Sequence, residues 1–216
     1  MWFYRIVRPW LTGIPWLLYR VRIKGRENLP ATGGFVLAPS HRSMMDILFT
    51  ARVTPRRVRF MGKASLFKVP VLGAFFSALG GFPVARDGTD RKAVRDSVTM
   101  LEAGDVLCVY PEGTRQNGPK IQPLQPGAAY LALRASVPIV PVGIAGAEEI
   151  MRAHKIPFPR FGRVTIVVGP PIVPEARASG VVARDKVDAL TATLADALQV
   201  VLDEANELRD GASNAS

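Results

Sequence analysis

Four short, mostly apolar runs set the frame of this chain: Phe35–Ala38, Val106–Tyr110, Val137–Ile144 and Arg163–Val168. Each has the length of a strand. Apolar residues follow one another instead of alternating with polar ones, as in strands covered on both faces. Val21–Lys24 ahead of Gly25, and Arg56–Met61, read as two more strands. Helical segments fall between and after them. Thr89–Ala103 carries Ala93, Val94, Val98 and Leu101 on one stripe and closes at Gly104, and Gly127–Ala135 is a short helix. Residues 183–207 repeat Val187, Leu190, Leu194, Leu198, Val201 and Leu202 at helical spacing. Pro138 and Pro141 predict an irregular strand at 137–144. With 216 residues, no internal repeat and no linker, the alternation predicts one α/β domain over residues 21–210. Its mixed, mostly buried sheet is flanked by helices. An N-terminal segment, 1–20, precedes it, and 211–216 reads as a disordered tail.

The stretch that carries chemistry is Pro39-Ser40-His41-Arg42-Ser43-Met44-Met45-Asp46. It holds one of the two histidines, and Asp46 is one of two acids before residue 87. An imidazole beside a carboxylate is a base with an orienting partner. Five residues along an ideal helix place two side chains roughly 140° apart, so they meet only if His41 lies ahead of the helix. Ser43 followed three residues later by Asp46 resembles a capping box. That puts Asp46 in the first turn of a helix through Ile47, Leu48 and Phe49, with its carboxylate turned back towards His41. The plainer alternative is an N-cap beside a solvated histidine. At the end of Val106–Tyr110, Glu112, Gly113, Thr114 and Arg115 form a loop suited to an anion, or an ordinary polar turn.

Charge is unevenly spread. Residues 1–86 hold 14 Lys/Arg against 2 Asp/Glu, and residues 87–216 hold 14 against 16. A cationic half predicts an anionic membrane surface or anionic substrates, and no nucleic-acid-binding signature accompanies it. In residues 1–20, Trp2, Trp10, Trp16, Tyr4 and Tyr19 stand among Arg5, Arg8 and Arg20. The uncharged run Pro9–Tyr19, 11 residues long, is shorter than the ~20 a membrane span needs. The segment therefore reads as lying in the headgroup region, or else as a helix packed on the core. Cys108, the single cysteine, sits in an apolar run and reads as a buried inert thiol in a reducing compartment. Peripheral or monotopic attachment to the cytoplasmic face of the cell membrane follows as the expectation.

Four blocks in order resemble the glycerolipid acyltransferase family, above all its bacterial lysophosphatidate acyltransferases. His41-Arg42-Ser43-Met44-Met45-Asp46 matches the HxxxxD motif, and Gly80-Gly81-Phe82-Pro83-Val84-Ala85-Arg86 the second block. Tyr110-Pro111-Glu112-Gly113-Thr114-Arg115 resembles FPEGTR, and Val137–Val142 the proline-bearing fourth block. Gly62–Pro70, with Lys63, looks like the family's lysine-containing stretch. Ser40 stands where Asn is common, and Tyr110 where Phe is common.

The resemblance implies transfer of a fatty acyl group from acyl-CoA or acyl carrier protein to the free hydroxyl of a lysolipid, giving phosphatidate from lysophosphatidate. His41 would be the base and Asp46 its orienter. Lys63, Arg86, Thr114 and Arg115 would bind the acceptor phosphate, Glu112 would position an arginine or the glycerol, and amides near Gly113 would face the oxyanion. No metal and no cofactor beyond the thioester substrate are implied. Ser40 and Ser43 leave an acyl-enzyme conceivable, whereas the family pattern implies direct attack. The apolar run Val69–Phe82 is either core or the lining of an acyl-chain groove. Two alternatives are the same chemistry on glycerol 3-phosphate, a lysophospholipid or a glycolipid, and a non-catalytic lipid-binding module. Oligomeric state is left open.

Overall fold

The buried strand expected before His41 is the middle of the sheet. In the computed structural model, which describes residues 13–78, 80–84, 91–151, 161–175 and 182–213, seven strands form one mixed sheet. They are β1 (Arg22–Lys24), β2 (Phe35–Pro39), β3 (Val58–Lys63), β4 (Gly81–Val84), β5 (Val106–Cys108), β6 (Ile139–Ala145) and β7 (Thr165–Val168). Their order is β1-β7-β6-β2-β5-β3-β4. The block from β6 to β4 is parallel, and β7 pairs antiparallel with β6 and parallel with β1. The helices are α1 (13–18), α2 (Asp46–Thr50), α3 (Ala64–Phe67), α4 (Pro70–Ala78), α5 (Arg91–Glu102), α6 (Gly127–Ala135), α7 (Ala147–Ile150) and α8 (Arg184–Ser213).

All five residues of β2 are buried, and they alternate between two cores. Phe35 and Leu37 pack with Tyr19, Phe49, Val53 and Ile150, the layer of α1, α2 and α7. Val36 and Ala38 pack with Val98, Leu101, Leu131 and Leu190, the layer of α5, α6 and α8. The run is apolar on successive residues because both of its faces are covered.

The proline strand is regular, contrary to expectation. Ile139 exchanges both backbone bonds with Ile172, and the Pro141 carbonyl accepts the Gly169 N–H. The N–H that Pro141 lacks therefore falls between that bridge and the Val142↔Val168 pair, where the β7 ladder has stopped. Val69–Phe82 divides into α4 and the edge strand β4. The expected tail is also corrected: α8 continues through Gly211–Ser213, and 214–216 lie outside the described residues.

At the N-terminus only residues from 13 onward are described. Within α1 and the turn after it, two expected interfacial aromatics point inward. Tyr19 is buried, edge-on to Phe49 at 6.0 Å, and the guanidinium groups of Arg26 and Arg52 each lie 5.6 Å from the Trp16 ring centre. The exposed large apolar residues there are Ile14, Leu17 and Leu18. No helix among the described residues is long and apolar enough to cross a membrane.

Helix α8 lies tightly on β6. A Cβ at Gly143 would stand 2.2 Å from the Val201 carbonyl oxygen, whereas one at Gly127 would meet nothing within 4 Å. Gly143→Ala is expected to destabilise the fold by about 1–3 kcal/mol by forcing backbone apart. Gly127→Ala should be neutral or slightly stabilising. Denaturant midpoints at unchanged m-value will check both.

Candidate active site

The chain leaves β2 in one direction, towards β3, and leaves β5 in the other, towards β6. Between these neighbours, at their carboxyl ends, the connections part and open a crevice, the favoured ligand position in such sheets. His41 follows β2, and the loop 109–116 follows β5. Lys63 is the last residue of β3, so the same edge carries it, although its side chain is not described. Arg86 lies outside the described residues.

His41 and Asp46 meet as the spacing requires, with the histidine ahead of α2. Nδ1 of His41 is 2.9 Å from Oδ2 of Asp46. The same oxygen accepts the backbone N–H groups of Arg42 and Ser43, both at 2.7 Å. An oxygen receiving two amides belongs to a carboxylate, so Nδ1 carries the proton and donates it. The lone pair of Nε2 is thereby left for a substrate. Asp46 is fully buried, and its Oδ1 has no hydrogen-bond partner among the described residues. Its negative charge is thus undiluted by solvent and favours the imidazolium that forms when Nε2 takes a proton. Only half of the expected capping box exists. Asp46 reaches back to the Ser43 amide, but Ser43 Oγ donates to the Met151 carbonyl and accepts from the Met45 amide.

The imidazole also stacks on Tyr110, with centroids 4.0 Å apart and planes 26° apart. The phenol oxygen reaches inward to Thr50 Oγ1 at 3.3 Å. Burial pushes both the Tyr110 phenol and the Cys108 thiol well above their ordinary ranges, so both remain neutral. Cys108 is a buried free thiol, as expected.

Behind the histidine lies an ion pair that sequence reasoning missed. Arg42 is 1 % exposed, and its Nη1 donates to both carboxylate oxygens of Glu112 at 2.9 Å. Nη2 donates to the Lys120 carbonyl. Glu112 Oε1 also accepts the His41 amide and Oε2 the Gln122 amide, while the Gln116 amide donates to the His41 carbonyl. Glu112 therefore ties the β2 and β5 loops together from the interior. Its expected contact with substrate is corrected to the other reading, positioning of an arginine, because both oxygens are consumed and the side chain is inaccessible. The available signal was charge: a lone Arg and a lone Glu each sit inside an otherwise uncharged part of two motif blocks.

Three further expectations change or divide. Gly113 does not offer its amide to an oxyanion, since that N–H donates to the Tyr110 carbonyl, and its φ of 72° demands glycine for the turn. Ser40 and Ser43 are fully buried, and Ser40 Oγ accepts the Ile144 amide, so both brace the loop and neither can be a nucleophile. Thr114 is exposed and Arg115 partly exposed, and Arg115 has no ion-pair partner among the described residues. Those two side chains are accessible to solvent.

The acyltransferase family model matches residues 20–145. A curated 1-acyl-sn-glycerol-3-phosphate acyltransferase of Bacillus subtilis is 28% identical over 70% of this chain and 73% of its own length. The chloroplast enzyme BAT2 of Brassica napus is 27% identical over 77% of this chain, which spans 49% of that relative. Among solved structures, the 1-acyl-sn-glycerophosphate acyltransferase PlsC of Thermotoga maritima has the same fold, with a TM-score of 0.77 at 23% identity over 93% of this chain and 78% of its own. With a family match over more than half of its length, laid across both loops that build the His41 crevice, the chain belongs to the acyltransferase family.

Proposed function

We propose that this acyltransferase moves a fatty acyl group from an acyl thioester, acyl-CoA or acyl carrier protein, to the free hydroxyl of lysophosphatidate, giving phosphatidate. The observation that carries the reading is the Asp46–His41 pair, which leaves Nε2 as an acceptor at the open end of the crevice. Nε2 takes the proton of the acceptor hydroxyl as its oxygen attacks the thioester carbonyl. The tetrahedral intermediate then collapses, the C–S bond breaks, and the imidazolium returns the proton to the departing thiolate. No serine intervenes. Arg115 and Thr114, with Lys63 and Arg86, bind the acceptor phosphate. The enzyme works at the membrane surface, which the exposed Ile14, Leu17 and Leu18 and the cationic first half support. The domain runs from residue 21, although α1 packs on it through Tyr19.

The test is thiol release from acyl-CoA with a panel of acceptors: lysophosphatidate, glycerol 3-phosphate, a lysophospholipid and a phosphate-free monoacylglycerol. Lysophosphatidate should give the highest kcat/KM. Arg115→Ala should raise its KM by roughly 10- to 150-fold, the worth of one charge-assisted contact to phosphate. The phosphate-free acceptor should be little affected. Equal losses on both acceptors would remove the phosphate role, and turnover confined to another acceptor would replace the substrate.

A further inference from the structure

A second basic site lies on the same edge of the sheet. Arg20, Arg22, Arg163 and Arg209, with Thr165, enclose a cavity of about 60 Å³. That is several times the ~10–15 Å³ of such space that one water needs, so a small oxyanion has room. Arg22 pairs with Thr165 at the start of β1 and β7, and Thr165 pairs with Ala145 at the end of β6. The cavity thus opens at the end of the sheet that carries His41. From β1 to β2 there are three strand spacings, about 14 Å. An acceptor's phosphate and free hydroxyl are a few bonds apart, so a phosphate here cannot belong to an acceptor whose hydroxyl faces His41.

The charges divide unequally. Arg209 is held by Glu149 and Asp210, which line an adjoining cavity, and Glu148 beside it has its carboxyl raised by burial. Arg20 and Arg22 have no ion-pair partner among the described residues, and both are exposed. Arginines converging on a concavity focus positive potential there, and their planar forks match phosphate oxygens. Arg20 adopts a left-handed φ of 43°, unusual for a residue with a side chain, where the chain turns from α1 into β1. That turn sets it directly after the exposed Leu17 and Leu18, which are 82% and 50% accessible. Apolar side chains in the acyl boundary with arginines at phosphate level are the arrangement of an interfacial element. A site for soluble phosphate would have no use for the apolar ridge.

We infer that Arg20, Arg22, Arg163 and Thr165 form a cradle for the phosphate of an anionic membrane lipid, separate from the acceptor site. This rests on the membrane-surface reading above. The cradle would fix which side of the molecule meets the bilayer and so aim the His41 crevice at it.

The experiment measures binding to phosphatidylcholine vesicles doped with phosphatidylglycerol. Arg20→Gln with Arg22→Gln should weaken binding at least ~10-fold, whereas Arg91→Gln with Arg95→Gln, the same change of charge on an exposed turn of α5, should cost less than ~3-fold. Arg20→Lys with Arg22→Lys keeps the charge but loses the forks, and should still cost several-fold. Acyl transfer to a detergent-dispersed acceptor should be unchanged in the cradle variants. Equal losses in the two Gln pairs, or full binding by the Lys pair, would overturn the cradle in favour of diffuse attraction. Inorganic phosphate raising Tm only when the cradle is intact, with vesicle binding unaffected by its loss, would overturn the lipid assignment. Cradle-dependent vesicle binding by a protein without acyl transfer would uphold the cradle and place the failure in the proposed reaction.

Discussion

His41→Ala should lower acyl transfer by at least ~10²–10⁴-fold with the fold retained, because general-base catalysis is worth that much and Asp46 Oδ2 keeps its two backbone donors. A hydroxyl is a weak nucleophile until its proton has somewhere to go, and Nε2 is the acceptor that the dyad leaves open. Asp46→Asn is the sharper test. The amide can keep a contact to Nδ1, but one of its ends is a donor, and Oδ2 currently serves three donors at once. The variant can keep its amide oxygen in the Oδ2 place with all three contacts and set its NH₂ in the unpartnered Oδ1 place, so what it loses is the negative charge opposite the imidazolium. Activity should still fall by orders of magnitude, and stability should fall modestly, because the NH₂ is buried without an acceptor. Single-turnover measurement with acyl-CoA reads the chemical step directly. Near-normal turnover by His41→Ala would remove the base from the mechanism.

Arg42→Ala should be the most damaging substitution for the fold near the site. It leaves the Glu112 carboxylate buried without its counter-ion, which costs about 3–5 kcal/mol. For a chain of this length, at roughly 2–4 °C per kcal/mol, Tm should drop by ~6–20 °C. Glu112→Ala should do the same from the other side, leaving a guanidinium that is 1 % exposed. Replacing both at once, Arg42→Met with Glu112→Leu, should be milder than the sum of the single changes, because no charge is left stranded. Activity should nonetheless stay low in the double variant. Glu112 also accepts the His41 amide, so the histidine backbone loses a tether even when the fold recovers. A thermal scan combined with kcat/KM for the three variants separates the two effects. A double variant with full activity would reduce the pair to a purely structural role.

The sequence by itself determined the elements that local chemistry controls. Continuous apolar runs marked strands covered on both sides, and the stripe within Thr89–Ala103 marked an amphipathic helix. The five-residue spacing of His41 and Asp46, with Ser43 between them, was enough to require a histidine ahead of a helix and a carboxylate in its first turn. Those signals lie within a few residues of one another, and backbone geometry alone translates them into position. Tertiary structure decided what depends on partners distant in the chain. For Glu112 the resemblance left open an arginine or the glycerol as its partner; only the return of β5 beside β2 shows its oxygens filled by Arg42, 70 positions away. Gly113 looked free until its amide was seen closing the turn onto Tyr110. Tyr19 read as an interfacial aromatic because its neighbours in sequence are apolar and basic, yet packing on Phe49 buries it and leaves Leu17 and Leu18 outside. Pro141 read as a disruption, and the place where the β7 ladder ends makes it harmless. In each case the deciding quantity is whether a polar or apolar group finds a partner once the sheet is assembled, and strand order, which no local pattern encodes, settles that.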